Sequence, residues 1–140
     1  MDSSSMSPRK LAFIGDAVWE LELKLALSKE NATNDVGKLN NIYMGYASAV
    51  AQASLYDTLH EEGFFTEEEE DIFRKGRNAH TDHRPRHASK AEYLKSTGFE
   101  AVIGWLYLNE NRARIDEIRS KACALGSKKE WHNYYTGSRL

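Results

Sequence analysis

Apolar residues return at three- and four-residue spacing along most of the chain, and strict alternation never runs beyond four residues. That pattern predicts an all-α fold. The first helix is expected over about residues 7–28, where Leu11, Ile14, Val18, Leu21 and Leu25 form one stripe read as buried. Asp16 lies off the middle of the stripe, directly behind Gly15, with Ala12 and Glu20 one turn to either side. A polar connector, Asn31–Asn34, places Thr33 or Asn34 to cap a long second helix over about 35–62. Leu39, Ile42, Tyr43, Tyr46, Val50, Leu55 and Leu59 give that helix a broad apolar face, and its many alanines let neighbours come close. Gly63 is its stop.

Three shorter helices follow. Thr66 with Glu69 forms the capping box of the third, and Ser89 with Glu92 that of the fourth. Asn111 is placed to cap a fifth, which reaches Ala124, packs through Ile115, Ile118 and Ala122 and ends at Gly126. The fourth carries Tyr93, Leu94, Phe99, Val102, Ile103, Leu106 and Tyr107. Between the third and fourth, Ala79–Ala88 holds Pro85, three histidines and no aliphatic residue larger than alanine, and so reads as a loop. The polar tail 127–140, with Trp131, Tyr134 and Tyr135, either docks on the body or meets a partner.

Composition narrows the class. At 140 residues the chain reads as one domain, 1–140, with a core over about 9–125. Cys123 is the single cysteine, so no internal disulfide forms, and it reads as a small apolar residue of the last helix. No apolar run approaches the ~20 residues of a membrane span, and the polar start, MDSSSMSPRK, has no signal-peptide core. The expected compartment is the cytoplasm, or an organellar stroma for a plant or algal source.

Net charge is −2, but the charges are segregated. Glu61, Glu62, Glu67–Glu70 and Asp71 crowd one region, and Arg74, Lys75, Arg77, Arg84, Arg86, Lys90 and Lys95 follow directly. A polyanion responds to the local field rather than the sum. The acidic run reads as a solvated, well-capped helix start, with Glu70–Arg74 and Asp71–Lys75 as i,i+4 pairs. The basic run is a candidate nucleic-acid footprint.

The candidate chemistry rests on Asp16 and Glu100. Each stands in an apolar helix beside a glycine, Gly15 or Gly104, and two helices packed through those glycines would bring the acids into one cleft. Buried carboxylates are costly unless paired. From spacing alone, each acid either pairs with a lysine or arginine, or both hold a hard divalent cation. His80, His83 and His87 with Asp82 have feasible zinc spacing, but Pro85 and the flanking arginines argue against a closed cage.

LAFIGDAVWE at residues 11–20 resembles the signature helix of the ribonuclease III family, and TGFEAVIG at 97–104 resembles its second acidic helix. RKGRNA at 74–79 and YLKSTGFEA at 93–101 are similar to the small Mini-ribonuclease III subclass, a catalytic domain without an appended double-stranded-RNA-binding domain. The resemblance spans about 9–122. It implies that Asp16 and Glu100 hold catalytic Mg²⁺, with Mn²⁺ able to substitute. Two further carboxylates of the larger enzymes fall at Ala12 and Thr97, a reduction that resembles the subclass. Arg74, Lys75, Arg77 and Asn78, with His80, Arg84, Arg86 and Lys90, are the implied RNA contacts, through phosphates and 2′-hydroxyls.

The activity implied is endonucleolytic cleavage of double-stranded RNA, leaving 5′-phosphates and 3′-hydroxyls, in maturation of the large-subunit (23S) ribosomal RNA precursor. A homodimer is implied, with a valley for the duplex, and an accessory ribosomal protein that presents the substrate fits the same role. The alternative is a catalytically silent RNA-binding scaffold, against which both acids stand. An all-α metal-carboxylate oxidoreductase would need Glu-x-x-His pairs, and the sequence has none.

Overall fold

The computed structural model describes residues 5–79 and 87–126. They form six helices, α1 (Pro8–Glu30), α2 (Val36–Ala47), α3 (Ala49–Glu61), α4 (Glu67–Arg77), α5 (Lys90–Leu108) and α6 (Arg112–Leu125), with no strand among the described residues. The all-α expectation holds. The helix starts follow local chemistry closely. Ser7 accepts the Lys10 N–H with Pro8 in the first turn of α1, and both expected capping boxes, Thr66/Glu69 and Ser89/Glu92, are closed. Asn111 caps α6 as expected.

The long second helix is a correction: it is two helices. At Ser48 the backbone turns extended (φ −64°, ψ 161°), and its hydroxyl accepts the Ala51 N–H at 3.1 Å. The apolar period runs on across the break, so periodicity alone could not reveal it. A serine that caps a new helix offsets the lost helical bond. The cap of α2 is also one residue later than expected, at Asp35, whose Oδ1 accepts the Lys38 N–H, while Thr33 accepts the Asp35 N–H.

The first helix is rotated from its expected orientation. Its buried residues are Leu11, Ala12, Gly15, Trp19, Glu22, Leu23 and Leu27, whereas Leu21 is 57% and Leu25 49% exposed. Two rows on α1 share helical spacing, and contact with α5 selects between them. At that contact the backbones touch. A Cβ on Gly15 would lie 1.7 Å from the Glu100 carbonyl oxygen, and one on Gly104 would lie 2.1 Å from that of Leu11. Next to this crossing Trp19 meets Phe99 edge to face, at 5.0 Å between ring centroids.

Helix α5 is the central rod, touching α1, α3, α4 and α6. Phe99, Val102, Ile103 and Leu106 pack with Leu23, Leu27, Leu55, Leu59, Phe73, Ile115 and Ile118 in one core. The acidic start of α4 is not wholly solvated, a second correction. Glu69 is 2% exposed and receives two Arg114 hydrogen bonds, both at 2.8 Å, while that guanidinium lies over the Phe64 ring. Burial alone would raise the Glu69 pKa, but the Arg114 and Thr66 hydrogen bonds more than offset it and hold it low. The Glu70–Arg74 pair does not form. Glu70 binds Tyr56 and His60, and Arg74 turns to Asp71, which also takes Lys75.

Because a methyl at either glycine would meet backbone rather than a movable side chain, Gly15→Ala or Gly104→Ala is expected to cost about 3 kcal/mol or more. Thermal unfolding should register a Tm drop on the order of 10 °C for each. An unchanged Tm would mean that α1 and α5 do not cross there.

Candidate active site

The glycine contact decides where the two acids go. Gly15 rests on the carbonyl of Glu100 itself, so Asp16, one residue on, stands beside the Glu100 side chain. The two carboxyls come within hydrogen-bonding reach of each other. They open onto a cleft of about 400 Å³ that is also lined by Arg9, Ala12, Gln52 and Thr97. Asp16 is exposed and Glu100 half-buried.

The Glu100 carboxyl is pushed up to about 9, by burial first and then by the hydrogen bond and charge of Asp16, with the Gln52 amide acting in the opposite direction. Without a counter-charge, then, the pair holds a proton. Among the described residues no third histidine, cysteine or carboxylate joins them. The positions Ala12 and Thr97 bring no charge, and the Ser96 and Thr97 hydroxyls both turn back onto the Tyr93 carbonyl.

Two residues of the cleft were not singled out in the sequence. Gln52, 4% exposed, donates its Nε2 to the Ala47 carbonyl at 3.1 Å and to Glu100 Oε2 at 3.5 Å, but its Oε1 has no hydrogen-bond partner among the described residues. A buried acceptor left so costs about 1–3 kcal/mol. Its signal was a lone amide inside the alanine run AVAQAS. Arg9 lies two turns before Asp16 on the same face of α1, and that seven-residue spacing was its signal.

The basic end of α4 leads to the same cleft. Gly76 lies against Gly98 of α5, and Ala79, just past the helix, lines the cleft. Arg74 and Lys75 are exposed, each paired with Asp71. Arg77 stacks near Phe73 and bonds the Asn78 side chain, Asn78 caps α4, and Lys90 is exposed at the start of α5. Of the other expected RNA contacts, His80, Arg84 and Arg86 lie outside the described residues, as do His83 and Asp82 of the zinc alternative. The aromatics of the two acidic helices divide: Trp19 and Phe99 are core, whereas Phe13 is 81% and Tyr107 52% exposed.

A small helical domain with two acids forced together at a helix crossing, and a basic helix end beside them, has a counterpart among known proteins. Residues 9–111 match the ribonuclease III domain, and the chain belongs to the ribonuclease III family, a class of endoribonucleases. Mini-ribonuclease 3 of Streptococcus pneumoniae is 39% identical over 110 residues, covering 79% of this chain and 85% of that one. Mini-ribonuclease 3 of Staphylococcus aureus is 35% identical over 118 residues, covering 83% and 86%. An X-ray structure of a Fusobacterium nucleatum protein superposes with a TM-score of 0.73 at 29% identity, covering 83% of this chain and 90% of that one.

The raised Glu100 pKa carries a sign. The folded chain keeps the proton to about pH 9, whereas the unfolded chain releases it near pH ~4.3. Across that window the folded state binds the extra proton, so stability falls as pH rises. In chelator, urea midpoints of the wild type should decline through this window, and Glu100→Gln should flatten the decline. Parallel curves would refute the buried-acid description.

Proposed function

We propose that this chain is a Mg²⁺-dependent endoribonuclease that cuts double-stranded RNA, acts as a homodimer and trims a stem of the large-subunit ribosomal RNA precursor. The observation that carries the reading is the Asp16–Glu100 pair, held at the floor of a cleft by the α1–α5 crossing. The ribonuclease III and Mini-ribonuclease 3 relationships supply the reaction class.

The donor set fits a hard cation. Two carboxylates that repel, with a buried amide oxygen lacking a partner beside them, make an all-oxygen environment suited to Mg²⁺ or Mn²⁺. Asp16 and Glu100 would hold it. When bound, such an ion lowers the pKa of water and stabilises charge on a phosphodiester in displacement. The chain's own residues do the rest. Arg9, exposed at the cleft, and the cations Arg74, Lys75, Arg77 and Lys90 neutralise RNA phosphates, releasing counterions. Asn78 offers an amide to a phosphate or to a 2′-hydroxyl, the group by which an RNA duplex is told from DNA. His80, Arg84 and Arg86 are further RNA contacts in this reading. Products would carry 5′-phosphates and 3′-hydroxyls. The compartment is the one that holds the precursor, cytoplasm or organellar stroma, and a ribosomal protein would present the stem.

The homodimer reading rests on apolar surface. Phe13, beside the cleft and 81% exposed, is a large ring that a second copy would cover, giving two sites for two strands. Phe13→Arg is expected to shift the light-scattering mass from twice that of the chain to once. A variant that still weighs as a dimer would move the interface elsewhere.

Cleavage itself is tested with an end-labelled RNA duplex and Mg²⁺. The wild type should cut it, and Asp16→Asn and Glu100→Gln should each lose at least ~10²-fold in rate while still retarding the duplex in gels. A wild type that binds but never cuts, with Mn²⁺ included, would favour the silent scaffold. Activity surviving both substitutions would put the site elsewhere.

A further inference from the structure

We infer that Gln52 is a metal-binding residue of this site, its side-chain amide oxygen supplying a third, uncharged protein oxygen beside Asp16 and Glu100. The inference deepens the reading of the acidic pair and rests on it.

Three observations lead there. First, Gln52 is 4% exposed and yet lines the cleft with both acids. Second, its amide is held from one side only. Nε2 is anchored on the Ala47 carbonyl at 3.1 Å and reaches Glu100 Oε2 at 3.5 Å, while Oε1 accepts nothing among the described residues. Buried amides in folded proteins almost always satisfy both ends. An acceptor left over in a cleft that both carboxylates line has the polarity that a cation requires, and among the described residues no hydrogen-bond donor meets it. Third, two further polar groups of the cleft wall are committed, since the Ser96 and Thr97 hydroxyls donate to the Tyr93 carbonyl.

Charge explains why an amide serves here. Two carboxylates already balance one divalent ion. A third carboxylate would leave net negative charge next to the RNA phosphate, whereas an amide oxygen adds a ligand without adding charge. The break at Ser48 is what delivers it. With Ser48 as N-cap of α3, Gln52 falls in the first turn of that helix and faces α5 rather than continuing the line of α2. The Nε2 anchor on Ala47, the residue before the break, fixes the amide plane.

The test is Mn²⁺ binding to the full chain without RNA, followed by calorimetry and by the electron paramagnetic resonance of free Mn²⁺. Gln52→Leu keeps the volume and removes the oxygen. It should weaken Mn²⁺ at least ~10-fold, yet leave the Tm in chelator unchanged or higher, because an unsatisfied group is gone. Gln52→Glu should show the opposite pattern, a lower Tm in chelator from three crowded acids and Mn²⁺ affinity at or above wild type. A purely structural glutamine would not yield that pair of results. In cleavage assays, the Mg²⁺ needed for half-maximal rate should rise in Gln52→Leu by a similar factor, with the rate recovered at saturation.

Asp16→Asn is the control that separates the two claims. If Asp16→Asn loses Mn²⁺ and Gln52→Leu binds it as the wild type does, Gln52 is not a ligand and the acidic pair stands. If Asp16→Asn also binds unchanged, or the wild type binds none, the pair itself is misread and the inference falls with it.

Discussion

Everything in this molecule hangs on one contact, the meeting of two backbones at Gly15 and Gly104. There is no room for a methyl on either side, because the groups in the way are main-chain carbonyls of Glu100 and Leu11. Helices that approach this closely fix each other's rotation as well as their distance. The rotation of α1 follows, and with it the burial of Trp19, Leu23 and Leu27 and the exposure of Leu21 and Leu25. The chemistry follows as well. The carbonyl that Gly15 presses on belongs to Glu100, so the contact that seats the helices also brings a second acid to the side of Asp16.

That arrangement works against the stability of the free protein. Burial and a like neighbour push Glu100 up to about 9, and Gln52 keeps an amide oxygen unpaired in the same cleft. The Trp19 indole N–H also lacks a partner, but the other buried carboxylates among the described residues are met. Glu69, almost fully buried, is met by Arg114 and its own cap, and Glu22 is met by Arg112 and Arg119. The unmet demand at Glu100 and Gln52 is of the kind that a cation would supply, which is the usual mark of a binding site rather than of careless packing.

The helix starts were legible in the sequence because their signals are local. Ser7, Thr66, Ser89 and Asn111 cap through side chains three residues from their partners, and nothing distant alters that geometry. The break at Ser48 was also local in mechanism, but it was hidden by an apolar period that continues through it. Asp16 and Glu100 were legible as acids in apolar helices next to glycines, and the basic run of α4 as a charge pattern. Gln52 and Arg9 were harder to see, since an amide among alanines and an arginine near a helix start are ordinary until the cleft around them is known.

The sequence by itself determined the all-α class, the caps at Ser7, Thr66, Ser89 and Asn111, the stops at Gly63 and Gly126 and the identity of the two acids, since each depends on residues within a turn or two of one another. Tertiary structure alone decided which of two equally periodic rows of α1 is buried. It also decided that Glu69 is core rather than surface, and that an amide from α3 joins the acids of α1 and α5. Those outcomes depend on contacts between residues that lie 45 to 89 positions apart in the chain, such as Glu69 and Arg114, Gln52 and Glu100, or Gly15 and Gly104. Periodicity carries no information about which neighbour a face will meet, and only the backbone contact of two glycines settles it.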